Sequence, residues 1–220
     1  MIITEAKPIQ EIIDSLQGYT RIFIIGCGEC ATSCNTGGQN EVAALKAQLE
    51  AKGKQVVGFS VPSAPCVAGK LKKELASQLK AYRESDAVVV LACGLGVQSV
   101  KDNDRFGLVV VPGCNSLCGA VMDNQGNFYE KCSLCGECVL SQTAGICPVT
   151  ICPKGLLNGP CGGMDKGKCE VNKDNDCAWV LIYQEMEKRK KLENFALIKK
   201  PRNFNKATKP HKFPSSYAKK

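Results

Sequence analysis

Three cysteines recur at every third position in the run Cys132-Ser-Leu-Cys135-Gly-Glu-Cys138, and two later cysteines, Cys147 and Cys152, each precede a proline. This spacing lets one loop present three sulfur atoms to a single metal cluster, while a more distant Cys-Pro supplies a further ligand. The residues therefore indicate an iron–sulfur protein, and the chemistry that they predict is electron transfer.

The chain has 15 cysteines, and the meaning of that number depends on the redox compartment. The segment Met1–Lys7 lacks the apolar core of a signal peptide, and no stretch of the sequence is long and apolar enough to cross a bilayer. We therefore expect a cytoplasmic protein without a membrane span. In a reducing compartment closely spaced cysteines are more often metal ligands than disulfide partners, and an odd number cannot be fully paired.

Ten of the cysteines lie between Gly113 and Cys177, where glycine and turn-forming residues replace aliphatic ones. A segment so poor in apolar residues needs metal as its structural nucleus. Two [4Fe-4S] clusters would bind eight thiols, and eight are available: Cys132, Cys135, Cys138, Cys147, Cys152, Cys161, Cys169 and Cys177. Because a cysteine that precedes proline can cross to a second cluster, the sequence does not divide the eight. Structural zinc fits less well, since its ligands come in separated pairs.

Cys114 and Cys118 also lie in this region, four residues apart. That spacing could place both thiols on one face of a helical turn, but it equally describes two inert buried thiols. We favour the inert interpretation. Gly126-Asn127 predicts a tight turn in a small hairpin that leads into the triple-cysteine run.

Four short aliphatic runs in residues 1–112 are typical of parallel strands buried on both faces. They are Arg21–Ile25, Gln55–Phe59, Ala87–Ala92 and Leu108–Val111. Apolar stripes over Val42–Leu49 and Leu71–Tyr82 predict connecting helices. We therefore predict a small doubly wound α/β domain with a mostly parallel four-stranded sheet. A Cys-rich iron–sulfur domain with little regular structure follows over residues 113–177, and a C-terminal helix with an extended tail over 178–220.

Five further cysteines follow the predicted strands, and they are Cys27, Cys30, Cys34, Cys66 and Cys93. Ligands of open parallel sheets bind at the carboxyl ends of the strands, so we predict that four of these five hold a third [4Fe-4S] cluster or a zinc ion. Two alternatives remain. Cys27 and Cys30 form a C-x-x-C pair that also occurs in thiol redox proteins, and either Cys66 or Cys93 could be a small buried hydrophobic residue.

The excess positive charge lies at the end of the chain. Residues 188–220 contain 12 Lys and Arg against one Glu, a balance of +11, so with a total of +8 residues 1–187 carry 8 − 11 = −3. Without a recognition motif for nucleic acid, this favours a solvated tail or a docking arm for an acidic protein. The single histidine, His211, lies in this tail, where we expect it to be solvated.

Several segments together carry a resemblance to a known family. They include the triple-cysteine run, the Gly145-Ile-Cys147-Pro148 step, Leu156-Leu-Asn-Gly-Pro-Cys161-Gly-Gly163, Gly167-Lys-Cys169 and Cys177-Ala-Trp179. This pattern resembles the methylenetetrahydrofolate reductase C-terminal domain family, in its free-standing form as the small metal-binding subunit of acetogenic bacteria. The resemblance extends over roughly residues 20 to 195, and Cys114 and Cys118 fall outside its motif.

The resemblance implies a subunit that passes electrons through iron–sulfur clusters to the flavin of a partner. That partner is a TIM barrel, which reduces 5,10-methylenetetrahydrofolate to 5-methyltetrahydrofolate and contains the flavin and folate sites. This chain is then part of an oxidoreductase without being catalytic alone. It needs an electron-donating redox protein or subunit and binds no nucleic acid. The alternatives are a structural zinc adaptor and a thiol redox protein.

Overall fold

The computed structural model describes residues 1–207 and 209–213, so residue 208 and the end of the predicted tail, 214–220, lie outside the described residues. The chain divides into two compact units, Met1–Ala120 and Val121–Lys220. The sequence placed its first boundary after Pro112. The first unit extends further because the next strand pairs with a strand at the N-terminus of the chain.

The first unit alternates strands and helices. In chain order they are β1 (Ile2–Ala6), α1 (Ile9–Ser15), β2 (Arg21–Ile25), α2 (Cys30–Ser33), α3 (Gln39–Ala51), β3 (Gln55–Ser60), α4 (Ala68–Leu75), a 3₁₀ turn (Ala76–Gln78), α5 (Leu79–Arg83), β4 (Ala87–Val90), α6 (Gly94–Asn103), β5 (Val109–Pro112) and β6 (Cys114–Met122).

Strands β2 to β5 form a four-stranded sheet in the order β3-β2-β4-β5, and all neighbouring strands run parallel. This confirms the predicted parallel sheet, with bounds that differ by one or two residues. The Leu71–Tyr82 stripe is not one helix, because the 3₁₀ turn separates α4 from α5.

The sheet is covered by helices on both faces. Alternate side chains of β2 point to opposite sides, so Ile22 and Ile24 pack with α1 and α3, whereas Phe23 and Ile25 pack with α4, α5 and α6. All four side chains are fully buried. Burial on both faces explains why the strand is apolar at four successive positions, Ile22 to Ile25, rather than at alternate ones.

The strand order produces a switch point between β2 and β4. From β2 the chain crosses to β3 on one side, and from β3 it returns to β4 on the other side. The loops that follow β2 and β4 therefore diverge and leave a crevice at their carboxyl ends, where ligands of such sheets bind. The segments beginning at Gly26 and Leu91 border this crevice.

Three elements of the first unit had no counterpart in the sequence prediction, namely β1, α2 and α6, and only the end of β6 was predicted, as part of the small hairpin. β1 and β6 pair antiparallel, with Ile2 opposite Gly119 and Ala6 opposite Cys114. The interpretation of Cys114 and Cys118 as residues of a helical turn is thus wrong, because both lie in β6.

The second unit has little regular structure. Its elements are the end of β6, β7 (Phe128–Cys132), a 3₁₀ turn (Leu140–Gln142), α7 (Pro148–Ile151), α8 (Ala178–Lys188) and two 3₁₀ turns (Leu192–Ala196 and Phe204–Ala207). The predicted hairpin turn is confirmed: the Asp123 carboxylate accepts hydrogen bonds from the N–H groups of Gln125 and Asn127, and Gly126 has φ +87°.

Helix α8 supplies most of the apolar core of the second unit. Its buried side chains are Trp179, Ile182 and Met186, and Cys177 at its N-terminus joins the same cluster. The predicted C-terminal helix is therefore confirmed, although it ends at Lys188. None of the helices in residues 1–207 and 209–213 is long and apolar enough to pass through a lipid bilayer.

Gly37 allows the loop after α2 to approach the carboxyl end of β4. Its carbonyl accepts a hydrogen bond from the Cys27 N–H at 2.8 Å. A Cβ atom at this position would lie 2.0 Å from the Leu91 carbonyl oxygen, which is far inside van der Waals contact. Only glycine fits here without displacing the loop that carries Cys30 and Cys34.

We predict that Gly37→Ala lowers the free energy of unfolding by about 1–3 kcal/mol, because the methyl group overpacks the crevice. The matched control is Gly69→Ala in α4, where a Cβ meets nothing within 4 Å. The control should be neutral or stabilise by about 0.5 kcal/mol. Urea unfolding under anaerobic conditions measures both, and equal stability of the two variants would contradict the packing argument.

Candidate metal centres

The loop after β2 carries three of the predicted thiols. Cys27 directly follows Gly26 and is buried, Cys30 begins α2, and Cys34 follows the last residue of α2. Cys30 and Cys34 are half-buried, and the Cys34 Sγ lies 4.0 Å from the carbonyl oxygen of Ile2 in β1. One short helix thus fixes the spacing of Cys30 and Cys34 beside β1.

The other two predicted thiols of this unit differ in position. Cys93 directly precedes α6, at the carboxyl end of β4, and is half-buried. Cys66 follows β3, which is at the edge of the sheet, and is exposed. Negative charge at Cys93 acts on the Cys27 thiol, so Cys93 lies close to the Cys27 loop. The loop that leads from β3 to Cys66 also contacts the Cys27 loop, because the Gly28 N–H donates a hydrogen bond to the Pro62 carbonyl at 2.8 Å.

Strand β6 adds a thiol that the sequence analysis left unassigned. Cys114 is only 4% exposed, and its Sγ donates a hydrogen bond to the Thr36 carbonyl oxygen at 3.4 Å. Two residues further along β6, the Ser116 hydroxyl accepts a hydrogen bond from the Gly94 N–H at 2.8 Å. β6 therefore lies against both the Cys27 loop and the start of α6. A strand assignment for this segment could have identified Cys114 from the sequence, because Cys114, Ser116 and Cys118 are alternate residues and so share one face of β6.

Electrostatic interactions connect these thiols. Burial raises the pKa of the Cys27 thiol, and negative charge at Cys30 and Cys93 raises it further. Burial also raises the pKa of Cys114 to about 11, with contributions from negative charge at Cys27, Cys34 and Cys93. Thiolate is the form that binds metal, so ionising this group near neutral pH requires a nearby positive charge, such as a metal ion.

The eight thiols of the second unit form two separate sets of four. One cavity, of about 200 Å³, is lined by Cys132, Cys135, Cys138 and Cys147. A different cavity is lined by Cys152, Cys161, Cys169 and Cys177. Cys147 precedes α7 and Cys152 follows it, so this one-turn helix separates the two sets. The sequence had left the division open, and in the structure neither set takes a thiol from the other.

The loop of the first set has a backbone suited to sulfur ligands. Leu134 and Gly136 have φ +54° and +77°, and the Leu134 N–H donates a hydrogen bond to the Cys132 Sγ at 3.5 Å. Residues with positive φ turn backbone N–H groups towards a common concavity, and such groups stabilise anionic sulfur.

The second set is held by α8 and by the loop before it. Cys177 caps α8, and its N–H donates to the Gly167 carbonyl at 2.7 Å. The Cys161 pKa is lowered by a backbone hydrogen bond from Gly163 and by the positive charge of Lys154. Both interactions favour the thiolate.

The two cavities differ in space. The second has a volume of only about 20 Å³, close to that of one water site. The Lys154–Glu170 ion pair lies among its lining residues. A multi-iron cluster at this set therefore requires these two side chains to move outwards, whereas the first set has room for one as it stands.

Among residues 1–207 and 209–213, no three His, Cys, Asp or Glu side chains converge closely enough to hold one metal ion. A single zinc draws four sulfurs to about 2.3 Å from one point, whereas the irons of a cubane lie at separate corners and bind thiolates that stand further apart. At the first set, four thiols around one cavity, with the Leu134 N–H directed at sulfur, fit the ligand requirements of such a cluster. At the second set the four thiols would fit them once Lys154 and Glu170 move outwards.

A comparison with protein families finds one family that part of the chain resembles. Residues 111–205 match the family model described as methylene-tetrahydrofolate reductase C terminal. This part of the chain, 95 of its 220 residues, is similar to that family. The name associates it with an oxidoreductase and confirms the resemblance for this region, which includes both four-thiol sets and also Cys114 and Cys118. Residues 20–110 are not part of the match. No curated protein and no solved structure is significantly similar to the chain.

We predict that Cys135→Ser and Cys169→Ser each remove about four iron atoms per chain and leave the other set loaded, because each thiol lines a different cavity. Iron and sulfide analysis of anaerobic protein, with electron paramagnetic resonance (EPR) spectra, measures this. If either single variant disturbed both cluster signals, the ligands would be crossed and the two-set division would be incorrect.

We predict for the first unit that Cys93→Ser and Cys114→Ser lower its metal content, whereas Cys66→Ser leaves it unchanged. Cys93 and Cys114 both interact electrostatically with Cys27, whereas the Cys66 side chain is exposed. Metal analysis by mass spectrometry compares the three serine variants. Loss of metal in Cys66→Ser alone would contradict the assignment.

Proposed function

We propose that this chain is a cytoplasmic electron-transfer subunit of a methylenetetrahydrofolate reductase complex. The observation that carries the proposal is the division of eight cysteines into two sets of four, each around its own cavity, within the region that matches the reductase family. Two four-thiol sites in one small unit are typical of two-cluster ferredoxins, whose role is to conduct electrons.

Each set supplies the four ligands of one [4Fe-4S] cluster, which accepts and releases single electrons when bound. Cys132, Cys135, Cys138 and Cys147 hold the first, and the set that begins at Cys152 holds the second. The Leu134 N–H stabilises negative charge on sulfur at the first set. Apolar side chains such as Leu140 and Val149 line the first cavity beside the thiols.

The first unit provides the site for a third [4Fe-4S] cluster or a zinc ion. Cys27, Cys30, Cys34 and Cys93 are its proposed ligands, with Cys114 as a further candidate from β6. The crevice at the switch point supports this proposal, because it gathers thiols from loops that are distant in sequence.

Folate reduction itself belongs to a partner. We propose a flavin-containing TIM-barrel subunit as electron acceptor and a separate redox protein or subunit as electron donor. Such a barrel needs eight βα units, and the parallel sheet in the described residues has four strands, so we place the flavin and folate sites on the partner.

We predict that the chain copurifies with a flavoprotein, and that the reduced chain reduces the flavin of that partner without reducing methylenetetrahydrofolate alone. Anaerobic stopped-flow absorbance follows the flavin after mixing. Cys135→Ser should slow the transfer at least tenfold, whereas Cys66→Ser serves as the matched control and should leave the rate unchanged.

Three outcomes would contradict this proposal. Colourless protein that contains only zinc would favour a structural adaptor, and flavin reduction that depends on Cys27 and Cys30 without iron would favour a thiol redox protein. Folate reduction by the isolated chain would show that catalysis does not need the partner.

A further inference from the structure

Part of the basic tail packs against the two thiol sets. We call residues 199–206 the strap. Arg202 Nη2 donates a hydrogen bond to the Cys135 carbonyl oxygen at 3.1 Å, and the Asn203 N–H donates to Glu137 Oε2 at 2.8 Å. Lys206 pairs with the same carboxylate at 3.4 Å. The strap is therefore not a free docking arm, because it is attached to the triple-cysteine loop.

The loop is shaped to accept the strap. A Cβ atom at Gly136 would lie 2.6 Å from the Lys206 carbonyl oxygen, and Gly136 already has φ +77°, a region that other residues seldom adopt. The glycine between Cys135 and Glu137 thus permits both the turn of the loop and the close approach of the strap.

The other end of the strap lies beside the second set. The Lys199 N–H donates to Asn158 Oδ1 at 2.7 Å, and the Asn158 amide donates back to the Lys199 carbonyl at 3.4 Å. The Lys199 ammonium lies 5.3 Å from the centre of the Trp179 ring, and Trp179 lines the second cavity. One strap therefore places a cationic side chain near each set.

Two of these cationic atoms lack hydrogen-bond partners. Lys199 Nζ and Arg202 Nε are fully buried, and neither has a hydrogen-bond partner within the described residues. Burying a charged donor without a partner is costly, and burial lowers the pKa of Lys199 accordingly. An anionic group in the neighbouring cavity would offset this cost.

A [4Fe-4S] cluster with four thiolates is such an anion. One electron accepted from a reductant would add one further negative charge beside these residues, and no bond in the protein would be made or broken. A fixed positive charge near the cluster therefore stabilises the reduced form more than the oxidised form, which raises the reduction potential.

On these observations, and resting on the proposed function, we propose that the strap sets the potentials of the two clusters. Arg202 raises the potential of the cluster held by Cys132, Cys135, Cys138 and Cys147, and Lys199 raises that of the cluster held by the second set. The two four-cysteine sites therefore each have a different positive charge nearby, Arg202 at the first set and Lys199 at the second.

EPR-monitored redox titration of the full chain under anaerobic conditions tests this proposal. Arg202→Met should lower the ratio of reduced to oxidised first cluster about tenfold at fixed ambient potential, a shift of about 59 mV for a one-electron couple. Arg202→Lys keeps the charge and should retain most of the wild-type potential. Lys199→Met should lower the reduction potential of the second cluster in the same way.

Lys200→Gln is the matched control, because it removes one charge from an exposed neighbour in the same strap. Equal shifts in Lys200→Gln and Arg202→Met would show a general charge effect and overturn the proposal, as would equal shifts in Arg202→Lys and Arg202→Met. Loss of iron from Arg202→Met and Arg202→Lys alike would make the strap a structural clamp instead. Absence of iron from the wild-type chain would refute the proposed function and the strap proposal with it, whereas each of the other outcomes bears on the strap alone.

Discussion

The second unit depends on the convergence of eight thiols around two cavities. Its apolar core is small, since the buried hydrophobic cluster rests on one helix, α8, and on Cys177 at its start. A chain segment with so little apolar burial cannot offset the entropy of ordering its long loops by hydrophobic contacts alone. In the proposed function, metal–thiolate bonds supply the missing stabilisation, and loops rich in glycine become possible because the metal fixes their conformation.

The first unit is stabilised by apolar burial rather than by metal. Its central strands, β2 and β4, are buried on both faces, so the fold does not need metal for its core. Instead the strand order leaves a crevice between β2 and β4, and the thiols lie on loops that a rigid sheet positions. Cys114 reaches this crevice only because β6 pairs with β1 and extends the unit beyond the parallel sheet. In the second unit the proposed metal is therefore structural, whereas in the first unit a sheet that folds without metal holds it.

The position of the basic tail, and not only its charge, determines which groups its lysine and arginine side chains can affect. In the sequence its excess of lysine and arginine suggests a solvated arm. In the structure the part up to residue 207 lies along the same unit, where Arg202 contacts the loop of Cys135 and Lys199 stacks on Trp179. The negative charge that four thiolates would bring to each cavity gives these buried cations an electrostatic partner within the chain. In the proposed function, the location of the tail therefore bears on electron transfer more directly than its overall charge does.

The sequence alone determined the features that depend on local pattern. Continuous aliphatic runs such as Arg21–Ile25 predicted the parallel sheet, because strands buried on both faces need apolar residues at every position. The spacing of Cys132, Cys135 and Cys138 predicted that one loop carries three ligands.

Only the tertiary structure decided which distant thiols join each set. Cys147 and Cys152 both precede proline and are equivalent in sequence, yet α7 places them in different cavities. Cys66 and Cys93 both follow a strand, but only Cys93 follows one that borders the switch point. Local spacing fixes which atoms are near neighbours along the chain, whereas the choice of distant partners depends on strand order and packing.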